Sequence, residues 1–415
     1  MRQQPFVPVQ RLPLALSAAC LCLAMLAGGC SRQKPRPAAG GEALPLQVFA
    51  RQWATDLNLR SDPLKAVHVR DDVVYAYSNS GRVFSLARDS GAVQYTRPIQ
   101  GGKTLLHAPV VMKEKVEIRT PRETATATPV VFPTASTLEV FDKPTGRFIT
   151  SVDLDFSVRS DAVGRGPMVY LGAAKRGSSR GVAVDIREPY VPVRWGLMIP
   201  KGAISAAPAL WEDTVFFGAE DGAVYAVTTA SREPIWTLPD GIFQTGGPIV
   251  ADLAVDSDNV YVASTDHKLY ALYRNSGKIR WQHFTNAALR AAPALTSDTV
   301  YQFVPGTGLV ALAKGPGDFN RKPKWVAADA TQFLAQDDRN AYVRTKDNRI
   351  AARDKQTGEV RFTSQRRDLA IFGTNLSKED GVVYASTKNG RVIAVRPVLK
   401  PGTVGEVVMV GSDEY

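Results

Sequence analysis

Few residues of this chain have the types and spacing that catalysis or metal binding requires. The four histidines never stand at a metal-ligand spacing such as HxxxH; they are His68, His107, His267 and His283. The three cysteines, Cys20, Cys22 and Cys30, all lie in the first 30 residues. The long remainder of the chain therefore contains no thiol for nucleophilic catalysis or for a disulfide.

Three short motifs resemble functional signatures but lie in the wrong surroundings. Gly177 to Gly181 matches GxSxG, and Gly306 to Ala311 matches GxGxxA. An esterase elbow needs a strand, a turn and a helix, and a dinucleotide loop needs a helix N-terminus, whereas both motifs stand in β-rich sequence. Asp256 to Asn259 has calcium-loop residues without the rest of an EF-hand, so we expect a hairpin turn. We predict no catalytic residue, no metal ligand and no cofactor.

Cys30 is the one residue with a specific chemical prediction. Arg2 and Arg11 precede an apolar stretch from Leu12 to Leu26, as in a secretory signal. The sequence Leu-Ala-Gly-Gly-Cys, which ends at Cys30, then resembles a bacterial lipobox. In lipoproteins this Cys carries several acyl chains, which anchor a protein stably to a membrane. An ordinary signal peptide with a chance Cys is the alternative.

The lipobox divides the start of the chain. It predicts a signal peptide over residues 1–29 and a lipid-anchored, flexible tether over 30–44, which is rich in Pro and Gly. Ser31 replaces the Asp that retains similar lipoproteins in the inner membrane, which favours the outer membrane and a periplasm-facing protein. The formal net charge is +11, but no long basic run appears, so nucleic acid is not an expected partner.

The rest of the chain repeats itself with a period of about 44 residues. A typical unit has a turn residue, an alternating apolar strand, a second turn and an aromatic residue 14 positions after the first turn. The second unit has Thr150 at this position, the aromatic of the sixth unit, Trp325, comes 17 positions after its turn, and the last unit lacks one. The first turns are Gly81, Ser136, Gly181, Gly222, His267, Gly308, Asn348 and Gly390. About four short strands fit in each unit, and such sheets must stack to bury their faces. We predict an all-β, eight-bladed β-propeller of four-stranded antiparallel blades over residues 45–398.

Aromatic residues mark the fourth strand of nearly every unit. They are Trp53, Tyr95, Trp195, Trp236, Trp281, Trp325 and Phe362. We interpret them as packing between blades rather than as a cofactor site. The last unit lacks this strand, and we expect the segment ending at Trp53 to supply it and close the ring. Glu406 to Val410 in the C-terminal tail, residues 399–415, is the competing strand.

The copy from Val260 to Trp281 resembles the pyrroloquinoline-quinone (PQQ)-type propeller repeat, and residues 74–95 and 215–236 follow the same pattern. An eight-bladed lipoprotein of this kind is most similar to the BamB family of outer-membrane protein assembly factors. The resemblance implies a protein partner in the assembly machinery, BamA, and a membrane attachment through Cys30. Quinoprotein dehydrogenases share the repeat, and for them it would imply a quinone, Ca²⁺-binding carboxylates and a catalytic Asp.

The resemblance also implies where the partner binds. An apolar-basic loop of the family matches Leu197, Met198, Ile199, Pro200 and Lys201, with Lys201 in place of an Arg. A nearby acidic loop matches Phe243 and Thr245, which carry no charge.

We therefore expect a non-catalytic scaffold for protein–protein interaction, with outer-membrane β-barrel assembly as its setting. The alternatives are a PQQ- and Ca²⁺-dependent sugar or alcohol oxidoreductase and a glycan-binding propeller. An insertion from Lys113 to Thr128 lengthens the second unit, and we expect it to be a solvated hairpin extension.

Overall fold

Eight antiparallel sheets form a ring, as the repeat predicts. The computed structural model describes residues 46–103, 105–120, 123–199 and 202–400. In this part of the chain the only helical element is one 3-10 turn at Pro239–Gly241. No helix among the described residues is both long enough and apolar enough to cross a membrane. The expected eight-bladed, all-β propeller is confirmed.

The first strand along the chain, β1 (Leu46–Asp56), belongs to the last blade, and the four blades that follow it contain β2 to β20. Blade 1 consists of β2 (Leu64–Arg70), β3 (Val73–Ser78), β4 (Arg82–Ala87) and β5 (Val93–Pro98). Blade 2 consists of β6 (Val110–Val111), β9 (Pro129–Pro133), β10 (Thr137–Asp142) and β11 (Phe148–Asp153), with the inserted hairpin β7 (Val116–Arg119) and β8 (Thr124–Ala127). Blade 3 has an innermost strand broken into β12 (Ser157–Val158) and β13 (Val163–Arg165), then β14 (Met168–Lys175), β15 (Ser178–Asp185) and β16 (Val193–Ile199). Blade 4 consists of β17 (Ala209–Trp211), β18 (Thr214–Gly218), β19 (Ala223–Thr228) and β20 (Ile242–Gln244).

The other four blades contain β21 to β35. Blade 5 consists of β21 (Ala254–Val255), β22 (Asn259–Ser264), β23 (Lys268–Tyr273) and β24 (Ile279–Phe284). Blade 6 consists of β25 (Ala294–Leu295), β26 (Thr299–Val304), β27 (Gly308–Ala313) and β28 (Trp325–Ala327). Blade 7 consists of β29 (Ala330–Gln336), β30 (Asn340–Thr345), β31 (Ile350–Asp354) and β32 (Val360–Thr363). Blade 8 consists of β33 (Leu369–Gly373), β34 (Val383–Thr387), β35 (Arg391–Lys400) and β1.

Each blade is a meander, so its turns alternate between the two ends of the ring. The links between blades and the turns between second and third strands share one end, which we call the connection face. The turns between first and second strands and between third and fourth strands share the other end, which we call the insertion face because it carries β7 and β8.

The N-terminal strand closes the ring. β1 pairs antiparallel with β35, from Leu46 opposite Lys400 to Asp56 opposite Arg391, with one irregularity between Arg51 and Trp53. The expectation that the segment ending at Trp53 completes the last blade is confirmed. The competing strand at 406–410 lies outside the described residues.

The core is divided into eight apolar clusters, one between each pair of neighbouring blades. Between blades 7 and 8, the fully buried Phe49 of β1 contacts the rings of Tyr342 and Phe362. Between blades 8 and 1, Trp53 packs in one cluster with Val74 and Tyr384. A single sheet has two apolar faces, so the burial of both depends on its neighbours in the ring.

The outer-strand aromatics lie on a turn of the next blade. The indole N–H of Trp53, Trp195, Trp236 and Trp325 donates to a backbone oxygen of that turn, on Arg88, Thr229, Arg274 and Lys355, at 2.8 to 3.0 Å. A Cβ added to Gly277, which has φ +70°, would lie 2.5 Å from the Trp236 ring. The aromatic and the turn glycine of the repeat are thus two sides of one contact between blades. Trp281 instead lies under the Arg321 guanidinium, 5.1 Å from the ring centre.

One of the turns that the repeat predicts is wrong. The repeat predicts the first turn of the third unit at Gly181, but Gly181 lies inside β15. The turn is at Arg176 and Gly177, which have φ of +49° and +83°. The hairpin of β14 and β15 therefore extends four residues further along the chain than the repeat predicts. Gly181 has a different role, because a Cβ there would lie 2.9 Å from the Phe217 ring of blade 4.

Candidate partner-binding surface

The sequence-predicted residues of blade 3 lie on its outermost strand, at the connection face. Met198 is 55% exposed, while Leu197 is half-buried and Ile199 is buried. We expected a loop here, but Leu197 to Ile199 belong to β16 and pair with Gly181, Arg180 and Ser179. The reason is the longer hairpin, whose extra residues give β16 a partner up to its end. Pro200 and Lys201 lie outside the described residues.

Phe243 and Thr245 stand at the corresponding end of blade 4. The Phe243 ring, on β20, meets the ring of Tyr270 in blade 5 edge to face, with centroids 5.3 Å apart. Thr245 is only 5% exposed, and its hydroxyl hydrogen-bonds to the backbone oxygens of Gly222 and Gly247. Phe243 is half-buried, so part of its ring is accessible at the surface, whereas Thr245 holds the turn beneath it.

The turn Glu220–Gly222 connects the two groups of predicted residues. A Cβ on Gly202, just after β16, would lie 2.5 Å from the Asp221 backbone nitrogen. On the other side, the Gln244 side-chain amide donates to the Asp221 carbonyl oxygen at 2.7 Å. The outer ends of blades 3 and 4 consequently form one continuous surface.

The acidic side chains of this surface were not among the residues predicted from the sequence. Glu220 accepts a hydrogen bond from the Ser205 hydroxyl at 2.7 Å. Asp266 accepts from the Gly246 N–H at 2.9 Å and from the Tyr270 hydroxyl at 2.6 Å. Their signal in the sequence is the turn before each third strand, where Glu220 and Asp221 precede Gly222 and Asp266 precedes His267. The family resemblance instead placed the acidic loop at Phe243 and Thr245.

Burial and these carboxylates also change the ionisation of nearby phenols. Burial, together with the negative charge of Asp221, raises the pKa of Tyr225 to about 12. Tyr225 is therefore a neutral hydrogen-bonding group at physiological pH, and the negative charge of this surface belongs to its carboxylates.

Blade 5 extends the surface with a second exposed apolar side chain. Phe284, at the end of β24, is 54% exposed. The Lys268 ammonium lies 5.3 Å from the Phe284 ring centre and 5.7 Å from that of Tyr270. Neither Phe284 nor Lys268 was predicted from the sequence.

We define the connection surface as the part of the connection face formed by the fourth strands and the neighbouring turns of blades 3 to 5. Its representative residues are Met198, Glu220, Asp221, Phe243 and Phe284. Exposed apolar side chains surrounded by charged residues are typical of protein-binding surfaces. The arrangement is therefore chemically suited to contact with another protein.

A second polar cluster lies on the segments that lead into the innermost strands. His107 Nδ1 is 2.8 Å from Asp161 Oδ1, which also accepts from the Ala108 N–H at 3.2 Å. Burial alone would raise the pKa of Asp161, but these hydrogen bonds outweigh burial and the pKa lies below its usual value. Burial raises the pKa of Asp252, which accepts a hydrogen bond from the Ala207 N–H.

The side chains of this cluster do not provide the ligand set that the Ca²⁺ of the oxidoreductase alternative requires. Ca²⁺ takes six to eight oxygen ligands. Throughout the described ranges, no three side chains of His, Cys, Asp or Glu come together in a way that could hold a metal ion. Asp256 accepts hydrogen bonds from the N–H groups of Asp258 and Asn259, as a hairpin turn requires.

Comparison with known proteins gives one family and several similar structures. The family model described as outer membrane protein assembly factor BamB matches residues 220–400, from blade 4 to the end of β35. No curated protein matches the chain by sequence.

BamB from Moraxella catarrhalis is similar with a TM-score of 0.60 and 16% identity, over 86% of this chain and 100% of that one. The computationally designed Ika8 protein is similar with a TM-score of 0.57 and 15% identity, over 84% of this chain and 99% of that one. Quinohemoprotein alcohol dehydrogenase ADHIIG from Pseudomonas putida HK5 has a TM-score of 0.55 and 12% identity, over 88% of this chain and 78% of that one. At these identities the structures establish a shared fold. The family match and the fold together confirm the resemblance to the PQQ-like repeat and to BamB.

Proposed function

We propose that this PQQ-like, BamB-like propeller is a non-catalytic scaffold that binds a protein partner during outer-membrane β-barrel assembly. The family match over blades 4 to 8 supports the setting. The observation that carries the proposal is the connection surface, where Met198 of blade 3 and Phe284 of blade 5 are each more than half exposed, with the carboxylates of blade 4 on the blade between them. Rigid blades hold these side chains in fixed positions, which reduces the entropy lost on binding.

The partner in this proposal is BamA, and the charges of the surface suggest how it is recognised. Glu220, Asp221 and Asp266 provide negative charge close to exposed apolar side chains. A complementary partner therefore combines an apolar contact with basic residues around it. The carboxylates that would meet these basic residues belong to turns of blades 4 and 5.

The proposal includes an anchor at Cys30, which lies outside the described residues. Acyl chains on Cys30 and a tether over residues 30–44 would keep the propeller at the periplasmic side of the outer membrane. Confinement to the membrane that holds the partner raises the effective concentration of the two proteins.

The experiment compares two aspartate variants in binding to purified BamA of the same organism. Met198→Asp buries a charge in the proposed interface, and we expect the dissociation constant to rise at least about tenfold. Val360→Asp is the matched control, since Val360 is 51% exposed on the outermost strand of blade 7, away from the connection surface. Binding that is equally weakened by both variants, or by neither, contradicts the proposed surface. Failure of the unmodified protein to bind BamA contradicts the proposed partner.

A further inference from the structure

The insertion in blade 2 is a hairpin with one buried and one exposed face. β7 and β8 pair antiparallel, and Val116, Ile118, Ala125 and Ala127 are buried in the core between blades 2 and 3. Glu117, Arg119, Thr124 and Thr126 are exposed. The expected solvated extension is thus solvated on one side only, and its position is fixed by packing.

The hydrogen-bond pattern leaves the outer edge of β7 open beside Glu117. The Thr120 N–H donates to the Glu123 carbonyl at the turn, so Ile118 and Val116 are the residues bonded to β8. Glu117 and Arg119 therefore direct their backbone groups away from β8. The Arg119 N–H confirms this direction, because it donates to the Arg187 carbonyl of blade 3 at 3.2 Å.

An open groove of about 630 Å³ separates this edge from blade 3. Lys115, Glu117 and Arg119 line one side, and Pro167, Arg187 and Arg194 line the other. The groove is in the size range of sites that hold small molecules or short peptide segments. The hydrogen bond from the Arg119 N–H to the Arg187 carbonyl joins its two sides.

The charges of the groove are balanced. The fully buried Asp185 carboxylate pairs with both Arg187 and Arg194, at 2.7 and 2.9 Å. Arg119 pairs with Glu188 at 3.1 Å, and Lys115 stands near Glu114 and Glu117. A groove without excess charge favours a ligand without net charge, for which backbone amides are the available hydrogen-bonding groups.

The loop that carries Arg187 and Glu188 also exposes apolar side chains. Tyr190 is 65% exposed and Val191 is 73% exposed, more than any other large apolar side chain in the described ranges. This loop contacts β7 through the Glu188 carboxylate, which pairs with Arg119. Exposed apolar groups on a segment that contacts an open strand edge are features of sites that bind a peptide by strand addition.

We propose that the groove between β7 and blade 3 binds an extended polypeptide segment, which adds as a strand to the edge of β7 at Glu117. The backbone N–H and C=O of Glu117 pair with the segment, and apolar side chains of the segment contact Tyr190 and Val191. This site is on the insertion face, so it is separate from the connection surface and does not depend on BamA binding.

The test uses the full chain and a synthetic peptide of alternating valine and threonine, flanked by one lysine and one glutamate and labelled with fluorescein. Glu117→Pro removes the N–H that faces the groove without removing a hydrogen bond to β8. Thr126→Pro is the matched control, because Thr126 is opposite Glu117 and directs its N–H to the other edge of the hairpin. We expect Glu117→Pro to weaken peptide binding at least about tenfold, and Thr126→Pro to leave it unchanged.

Two further measurements separate strand addition from a general effect on the hairpin. A peptide N-methylated at its central amides cannot donate the required hydrogen bonds, and we expect it not to bind. Tyr190→Ser with Val191→Ser changes no backbone pairing, and we expect weaker binding with an unchanged unfolding midpoint. No binding of the unmodified peptide, equal effects of the two prolines, or binding of the N-methylated peptide each overturns the proposal.

Discussion

At the scale of single residues, the contact between an aromatic ring and a turn glycine explains why the sequence repeats. Trp236 needs a flat backbone surface and a carbonyl acceptor, and the next blade provides both at Gly277 and Arg274. The sequence shows the two residue types at a fixed spacing but not that they belong to different blades. Only the ring arrangement brings the aromatic of one unit onto the glycine of the following unit.

This contact predicts that Gly277→Ala destabilises the protein more than the backbone conformation alone requires. The added Cβ would lie 2.5 Å from the Trp236 ring, so the ring must move or the turn must shift. Overpacking of this kind costs about 1–3 kcal/mol, in addition to the roughly 1–2 kcal/mol for a positive φ. The measurement is the free energy of unfolding from denaturant titration.

Gly306→Ala is the matched control for that measurement. Gly306 has φ +78° but no atom within 4 Å of an added Cβ. We expect Gly306→Ala to cost only the conformational strain. Equal losses for the two variants would contradict the proposed packing role of Gly277.

At the scale of elements, the residues that set strand length were the hardest to predict. Alternation and turn residues are local, and they predicted the strands and the order of the blades. Gly181 looks like a turn glycine of the repeat, yet it is a strand residue that makes room for Phe217 of blade 4. A glycine selected by a tertiary contact cannot be distinguished in the sequence from one selected by φ. The family resemblance placed Leu197 to Ile199 in a loop, and it could not show that the longer hairpin of this chain extends β16 through them.

The acidic residues of the candidate surface were not predicted from the sequence, for a related reason. The resemblance pointed to one loop of blade 4, where this chain has Phe243 and Thr245. Glu220 and Asp221 belong to another turn, and only the fold shows that the two segments touch, through Gln244.

The closing strand predicts a large effect of a short truncation. A chain that begins at residue 57 lacks β1, which removes the buried Phe49 and Trp53 and leaves the edge of β35 unpaired. Loss of a buried Phe or Trp side chain costs about 3–5 kcal/mol each, and an unpaired edge promotes association between molecules. We expect a much lower unfolding midpoint and light scattering that increases with protein concentration.

The control for the truncation is a chain that begins at residue 45 and keeps β1. We expect it to unfold like the full chain and to remain monomeric in light scattering. If the chain beginning at residue 57 behaves in the same way, β1 is not the element that closes the ring.

At the scale of the whole molecule, the ring separates two surfaces with different features. The connection face presents exposed apolar side chains and carboxylates on blades 3 to 5. The insertion face presents an open strand edge beside a groove. Eight apolar clusters between blades hold both surfaces in fixed positions. Binding at one face therefore requires no rearrangement of the other, as suits a scaffold.

The most direct test of the scaffold function is amide hydrogen exchange of the propeller with and without purified BamA of the same organism. We expect slower exchange on binding in residues 197–199, 219–222, 243–247, 266–270 and 282–284, which carry the connection surface. We expect unchanged exchange in β7 and in the loop of Tyr190 on the insertion face. Protection confined to other blades, or no change anywhere at saturating BamA, would contradict the scaffold function.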